Sequence, residues 1–244
     1  MSSDKTPLGD RMKAQYERRA QSYLPRRTYT IIRLDGKAFH TYTKGLLKPY
    51  DLEFQHDMAG AAAVLCSEVQ GCALAYVQSD EVSLLVTDFA KDTTDAWFDG
   101  NVQKIVSVAA SIMSVQFNRR RRERGIDRPA YFDARAFTIP DPTEVGNYLI
   151  WRQRDCVRNS ILALGQAYFS HKQLNGKKTD EIQEMVYQHT RINWATDVPD
   201  SCRNGTLISK YRAGDNPQAF WMPNPAFQFS KQRELLDRHI PVYT

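Results

Sequence analysis

The sequence predicts an α+β fold: a ferredoxin-like βαββαβ antiparallel sheet with helices on one face, followed by a C-terminal helical extension and a small hairpin. Three observations carry that expectation. Apolar runs of strand length, several rich in β-branched residues, occur at Thr28 to Ile32, Cys72 to Val77, Val82 to Val86 and Tyr131 to Ile139, and favour extended backbone. Between them lie two stretches with apolar residues at helical spacing. The resulting order, strand-helix-strand-strand-helix-strand, is the split βαβ unit. Residues 1–140 are expected to form the core with an N-terminal helix, and 141–244 an extension packed with it as one unit.

Met1 to Gly9 reads as a loose arm. Asp10 to Leu24 suggests a helix with Asp10 as N-cap and Met12, Tyr16 and Tyr23 as packing residues, stopped by Pro25. The first strand runs into Asp35-Gly36. A loop from Thr41 to Tyr50 leads to Asp51, an N-cap for a helix that buries Phe54, Met58, Ala61, Ala62, Leu65 and Val69 and ends at Gly71. A hairpin comes next, its strands joined by the four polar residues Gln78 to Glu81. Thr94 is expected to cap the next helix, whose stripe includes Phe98, Val102, Ile105, Ala109 and Met113 and which reaches about Arg122. Thr143 to Phe169 is a long helix with a stripe from Val145 to Leu164, and Gly176 to Tyr187 a shorter one capped by Thr179 or Asp180. Residues 203–212 and 217–222 suggest a hairpin around Gly214-Asp215-Asn216. With both crossover helices on one face of the sheet, the other face is expected to be free to bind something. This arrangement is also the palm of many nucleotide polymerases and cyclases, with metal-binding carboxylates on the first strand and the following hairpin.

Composition narrows the setting. The chain has 244 residues, 42% hydrophobic and 25% charged, enough for a real core in one large domain or a domain with an extension. Its net charge of +5 suits a polyanionic partner, although many basic proteins have none. The four cysteines, Cys66, Cys72, Cys156 and Cys202, show no paired metal spacing, so a reduced, cytoplasmic chain is the simpler account. Neither a secretory h-region nor the roughly 18 consecutive apolar residues of a membrane span is present.

The chemistry concentrates at two turns. A strand ending in Asp35-Gly36 delivers a carboxylate rigidly at a sheet edge, and Gly36 lets backbone approach a ligand. If the strands are neighbours, Asp80 in Ser79-Asp80-Glu81 stands beside it. Two crowded carboxylates repel unless a cation lies between them. Oxygen donors without Cys or His select Mg²⁺, which binds through one or two carboxylates and substrate phosphates. Such a site suits two-metal phosphoryl or nucleotidyl transfer; each motif taken alone is an ordinary turn former. The run Arg119-Arg120-Arg121-Arg122-Glu123-Arg124 reads either as a solvated helix end or as a contact to nucleic-acid phosphates. Trp151, Arg152, Asp155 and Asn159 share one helix flank, a pattern that is usually solvent-facing.

Five blocks in register resemble one family: Arg33-Leu34-Asp35-Gly36 with Phe39-His40, then Lys48-Pro49, Ser79-Asp80-Glu81 with Ser83, Phe132-Asp133 with Arg135, and Trp151-Arg152-Gln153 with Asp155-Cys156. They resemble tRNA-His guanylyltransferase and its bacterial, archaeal and phage-borne relatives, over about residues 10 to 212. The resemblance implies a palm-fold nucleotidyltransferase that adds nucleotides to an RNA 5′ end in the 3′-to-5′ direction. A 5′-monophosphate is first adenylylated by ATP, or a triphosphate is already present, and the 3′-hydroxyl of an incoming nucleoside triphosphate such as GTP attacks it. By similarity Asp35, the Gly36 carbonyl and Asp80 hold two Mg²⁺ ions. Lys37, Ala38, Phe39, His40, Lys48, Asp51, Ser79, Glu81 and Lys104 are implied in nucleotide binding, and Arg33, Arg135, Arg152 and Asn159 in contacts to triphosphate or RNA. tRNA is the implied partner and a homotetramer the implied assembly.

Eukaryotic members carry His-Ile-Asn-Asn after the Cys of the last block, where this chain has Val157-Arg158-Asn159-Ser160. That difference resembles the template-dependent relatives that repair 5′-truncated tRNA. A palm-fold cyclase and a non-catalytic RNA-binding module are the competing readings.

Overall fold

The computed structural model describes residues 6–212 and 219–243. Its helices are α1 (Leu8–Met12), α2 (Phe39–Tyr42), α3 (Leu52–Glu68), α4 (Val102–Glu123), α5 (Pro142–Tyr168), α6 (His171–Leu174), α7 (Thr179–Thr190), α8 (Trp194–Asp197), α9 (Asp200–Asn204) and α10 (Arg233–Asp237). The strands are β1 (Tyr29–Gly36), β2 (Cys72–Gln78), β3 (Glu81–Val86), β4 (Phe132–Ile139), β5 (Thr206–Tyr211) and β6 (Phe220–Pro225). They form one sheet in the order β4-β1-β3-β2-β5-β6. Its first four strands have the split βαβ order, and the described pairs are antiparallel. Gly214-Asp215-Asn216, expected to turn the last hairpin, lies outside the described residues. None of the described helices is long and apolar enough to cross a membrane.

Alternation along β1 builds two cores. Ile32 and Leu34 face α3 and α4 and pack with Met58, Leu65, Ile105, Met113 and Phe117. Tyr29 and Ile31 face the other way and meet Val145, Tyr148 and Leu149 of α5 together with Phe229, Leu236 and Ile240 near the C-terminus. The second face is therefore not free, as the sequence suggested, but covered by α5 and the terminal segment. Strand residues buried on both sides need such a second layer. A third cluster joins α5 to α7 and α9 through Ile161, Leu164, Ile182, Val186 and Cys202.

Several local expectations are corrected. The N-terminal segment is helical in short α, π and 3₁₀ turns from Leu8 to Ala20, with no buried residue. Asp10 lies inside its first turn, and Met12, Tyr16 and Tyr23 are exposed rather than packed. Asn101, not Thr94, caps α4 by accepting from the Lys104 amide at 3.0 Å. Phe98 and Asp99 hold left-handed backbone and Gly100 a positive φ, which breaks the helical path before Asn101 and leaves Phe98 off the stripe. Lys178, rather than Thr179 or Asp180, occupies the N-cap of α7, and Glu181 reaches back to its amide at 2.9 Å. The hairpin turn contains only Ser79 and Asp80, since Gln78 pairs with Glu81.

Candidate active site

Register brings the two acidic turns to one rim. Leu34 of β1 pairs with Val82 of β3, so the chain leaving β1 at Asp35-Gly36 runs beside the turn that carries Asp80. Both turns hold unusual backbone. Ser79 has φ 48° and Ala38 φ 56°, left-handed values that non-glycine residues adopt at a cost and that collect at ligand sites. An added Cβ on Gly36 would lie 2.2 Å from the Phe39 ring, so a side chain there displaces an aromatic core residue.

The electrostatics of the rim favour a cation. Burial holds the Asp80 carboxyl above its ordinary range, and the charges of Asp35 and Glu81 push it the same way; the Ser79 hydroxyl, donating at 3.0 Å, opposes them. Across the sheet Asp35 pairs directly with Asp133, a third carboxylate at the same edge. Like charges so placed repel, and Asp133 is partly offset by Arg135 at 3.5 Å. Among the described residues neither Asp35 nor Asp80 forms an ion pair. No group of three or more His, Cys, Asp or Glu among the described residues is placed to hold a metal ion. Two oxygen-donor carboxylates without a cationic partner fit Mg²⁺, which takes its remaining ligands from phosphate and water.

Glu81 faces the sheet's α5 side and is clamped. Arg152 donates to it through Nε at 2.7 Å and Nη2 at 2.8 Å, the Gln78 amide donates at 3.2 Å, and Arg33 Nε stands 4.0 Å away. The expectation that the Arg152 flank of α5 is solvent-facing fails here: Arg152 is buried, and its fork ties α5 to the hairpin turn. Arg33 and Arg135 are cross-strand partners on that same face. Carboxylates of the chain meet part of their charge, Glu81 at 4.0 Å from Arg33 and Asp133 at 3.5 Å from Arg135, and half of the Arg135 side chain stays exposed.

Beside the turn a cleft of about 410 Å³ opens between α3, β2, α5 and α9, and Lys48, Asp51, Ser79 and Asn159 all line it. Asp51 is fixed by its cap, accepting from the Phe54 amide at 2.8 Å and the Leu47 amide at 3.2 Å. Burial pushes the Tyr50 phenol up to about 12 and the Cys156 thiol up to about 11, so that wall stays uncharged near neutrality. Lys37, Ala38 and His40 are exposed just past the rim, while the ring of Phe39 is buried among Tyr42, Phe54, Phe117 and Phe132. Lys104 is not brought to this end. It sits on the first turn of α4, beside the start of β1, and Asp35 lies five residue steps along the strand from Thr30, roughly 17 Å. Sequence reasoning missed Asp133, although it lies within one of the five blocks, and the cleft residues Tyr50, Gln55 and Ser160. Those three carry no motif, and only the fold gathers them.

Known proteins share this sequence pattern and fold. The family model described as tRNAHis guanylyltransferase (Thg1) matches residues 9–140. A bacterial tRNA(His) guanylyltransferase (Thg1)-like protein solved with ATP superposes with a TM-score of 0.89 at 38% identity, covering 96% of this chain and 99% of that one. A bacterial protein of the same description solved with GTP gives 0.81 at 36% identity, with the same coverage of each chain. The tRNA(His) guanylyltransferase of Schizosaccharomyces pombe is 32% identical over 79% of this chain and 77% of its own length.

Proposed function

This chain belongs to the tRNAHis guanylyltransferase family, and from that premise we propose that it is a template-dependent nucleotidyltransferase extending the 5′ end of tRNA in the 3′-to-5′ direction. The observation that carries the reading is the meeting of Asp35 and Asp80, without a cationic partner among the described residues, between a nucleotide-sized cleft and the Arg33–Arg135 pair. Asp35, the Gly36 carbonyl and Asp80 would hold two Mg²⁺ ions, which when bound neutralise phosphate charge and align the attacking and leaving oxygens.

The chain's own residues do the positioning. Lys48, Asp51, Ser79 and Asn159 line the place for one nucleotide, and the exposed Lys37, Ala38 and His40 would flank its approach. Phe39 supports that approach from below with its buried ring, and Glu81 keeps the turn in place through Arg152. Arg33 and Arg135 offer charge to a triphosphate or to the RNA 5′ phosphate. Holding the 3′-hydroxyl of the incoming nucleotide against the activated 5′ phosphate forms one P–O bond and releases AMP or pyrophosphate, with no covalent enzyme intermediate. Lys104, at the far end of β1 from the rim, has no place in the nucleotide site of its own chain, and the assembly read from the resemblance is a homotetramer. Residues 1–140 would form the catalytic unit, with 141–244 completing it: β5 and β6 continue the sheet and α5 clamps the turn.

Val157-Arg158-Asn159-Ser160, in place of the eukaryotic run, favours repair of 5′-truncated tRNA over addition of a single G to tRNA-His. The test offers a 5′-truncated tRNA and an intact tRNA-His transcript side by side, with ATP, GTP and Mg²⁺. Templated extension of the truncated RNA is the expected result. A cyclic product from nucleotide alone, or no extension of either RNA, would overturn the reading.

A further inference from the structure

One large aromatic side chain on α5 leaves about half of its surface outside any packing contact. Trp151 is 53% exposed, and among the described residues it is the only tryptophan in the set of exposed large apolar side chains. It ends a row of rings that crosses from the sheet to the surface: Phe137 lies 5.8 Å from Tyr148, and Tyr148 lies 5.8 Å from Trp151. Phe137 is two residues beyond Arg135 on β4 and shares its face, so the row starts beside the Arg33–Arg135 pair. Tyr148 is anchored there by a 2.9 Å hydrogen bond between its hydroxyl and that of Ser83, the partner of Arg33 on β3.

The indole is also pre-set. The Arg152 guanidinium carbon lies 4.5 Å from its ring centroid, and that guanidinium is itself locked by Glu81 and by Asp155 at 3.2 Å. A cation over the ring fixes the indole's plane at little further entropy cost, while its exposed surface remains open to solvent. An exposed aromatic plane next to a cluster of arginines is the combination by which proteins hold unpaired nucleic-acid strands.

We propose that Trp151 is a stacking platform for an unpaired base of the RNA, placed so that the adjoining phosphate meets Arg33 and Arg135. The inference rests on the tRNA-extending function, since it names the surface along which the RNA end reaches the rim. In 5′-end extension that end must be held single-stranded or loosely paired near Asp35, and a sequence-tolerant contact suits a substrate whose terminal base changes with each addition.

The experiment measures binding without chemistry, in EDTA and without nucleotide, so its failure is separable from failure of catalysis. Tryptophan emission of the full chain is titrated with a 5′-monophosphorylated, 5′-truncated tRNA, and binding is followed in parallel by filter retention. The expected result is quenching in the wild type that is lost in Trp151→Phe while that variant keeps near wild-type affinity. Trp151→Ala should lower RNA affinity roughly 5- to 100-fold. Its salt dependence should keep the wild-type slope, because no phosphate contact is removed, whereas Arg135→Ala should flatten the slope. ATP or GTP alone, added to the metal-free protein, should give no Trp151-dependent quenching.

Unchanged RNA affinity of Trp151→Ala would overturn the proposal. So would undiminished quenching in Trp151→Phe, or Trp151-dependent quenching by nucleotide alone, which would make the stacked base that of the free nucleotide. A change in the mass of RNA-free Trp151→Ala by light scattering would instead assign the indole to contact with a second copy of the chain. Thermal melts of both variants check that a lost Arg152–Glu81 shield is not the cause, and a collapse common to both would contradict the platform role.

Discussion

Side chains at the rim answer to charge more than to packing. Asp80 is held above the ordinary carboxylate range by burial and by Asp35. Its contribution to folding is therefore fully present in acid, below the unfolded pKa, and is lost as pH rises through the elevated folded value. Metal-free Asp80→Asn should thus melt higher than wild type near neutrality, with the gap closing towards pH 4, and Mg²⁺ should stabilise the wild type but not the variant. An unchanged gap across that range would show that the carboxylate is not strained by its setting. Arg152 gives a second forecast. Arg152→Ala leaves the half-buried Glu81 without its fork and should cost about 3 kcal/mol in urea unfolding, whereas an exposed pair would cost less than about 1 kcal/mol. The placement of Asp35, Gly36 and Asp80 at turns was legible in the sequence, because strand–Asp–Gly and Ser–Asp–Glu report where a chain turns. The opposite flank of the site was not. Arg152 lies on a polar helix stripe of the kind that usually faces water, and only the partner Glu81, 71 positions earlier, draws it inward.

Among the elements, α3 came out where expected, while the starts of α4 and α7 did not. Asp51 caps α3 as read, and α5 begins one residue before the expected Thr143, with Asp141 as its cap. By contrast α4 starts at Asn101 because Leu24 and Ser22 pair with Gly100 and Val102, contacts that no local pattern reveals. The arginine run was readable as basic but not as divided. Arg121 and Arg124 both donate to Asp57 of α3, at 3.0 and 2.9 Å, while Arg119 and Arg122 are exposed and pair with Glu123 and Asp127. The run is thus in part a clamp between α3 and α4. Asp57→Ala, which strands the buried Arg121, should destabilise the protein by about 3–5 kcal/mol. Charge reversal at Arg119 and Arg122 should leave the melting temperature nearly unchanged. Equal losses in the two would erase the distinction.

At the level of the whole molecule, the palm is incomplete without residues 141–244. The split βαβ order was visible in the alternation of strand-like and helical stretches, and the sheet's second face was expected to be open. Instead, α5 and the segment after β6 cover it, and Phe229 is fully buried against Tyr76 at 5.3 Å between ring centroids. The Pro- and aromatic-rich terminal stretch has no periodicity to announce this, since its residues enter the core singly from turns. Phe229→Ala should cost about 3–5 kcal/mol, read by chemical denaturation, and a loss under about 1 kcal/mol would mean that the terminal segment merely rests on the sheet. At the rim that this scaffold positions, the proposed role of Asp35 and Asp80 is to hold jointly the ions of nucleotidyl transfer. The most direct measurement compares 5′ extension with RNA affinity in Asp35→Asn and Asp80→Asn. Extension should fall by several orders of magnitude in each, while the dissociation constant for tRNA stays within a few fold, because contacts elsewhere carry most RNA binding. Extension that survives either change, or a parallel collapse of extension and binding, would contradict the account.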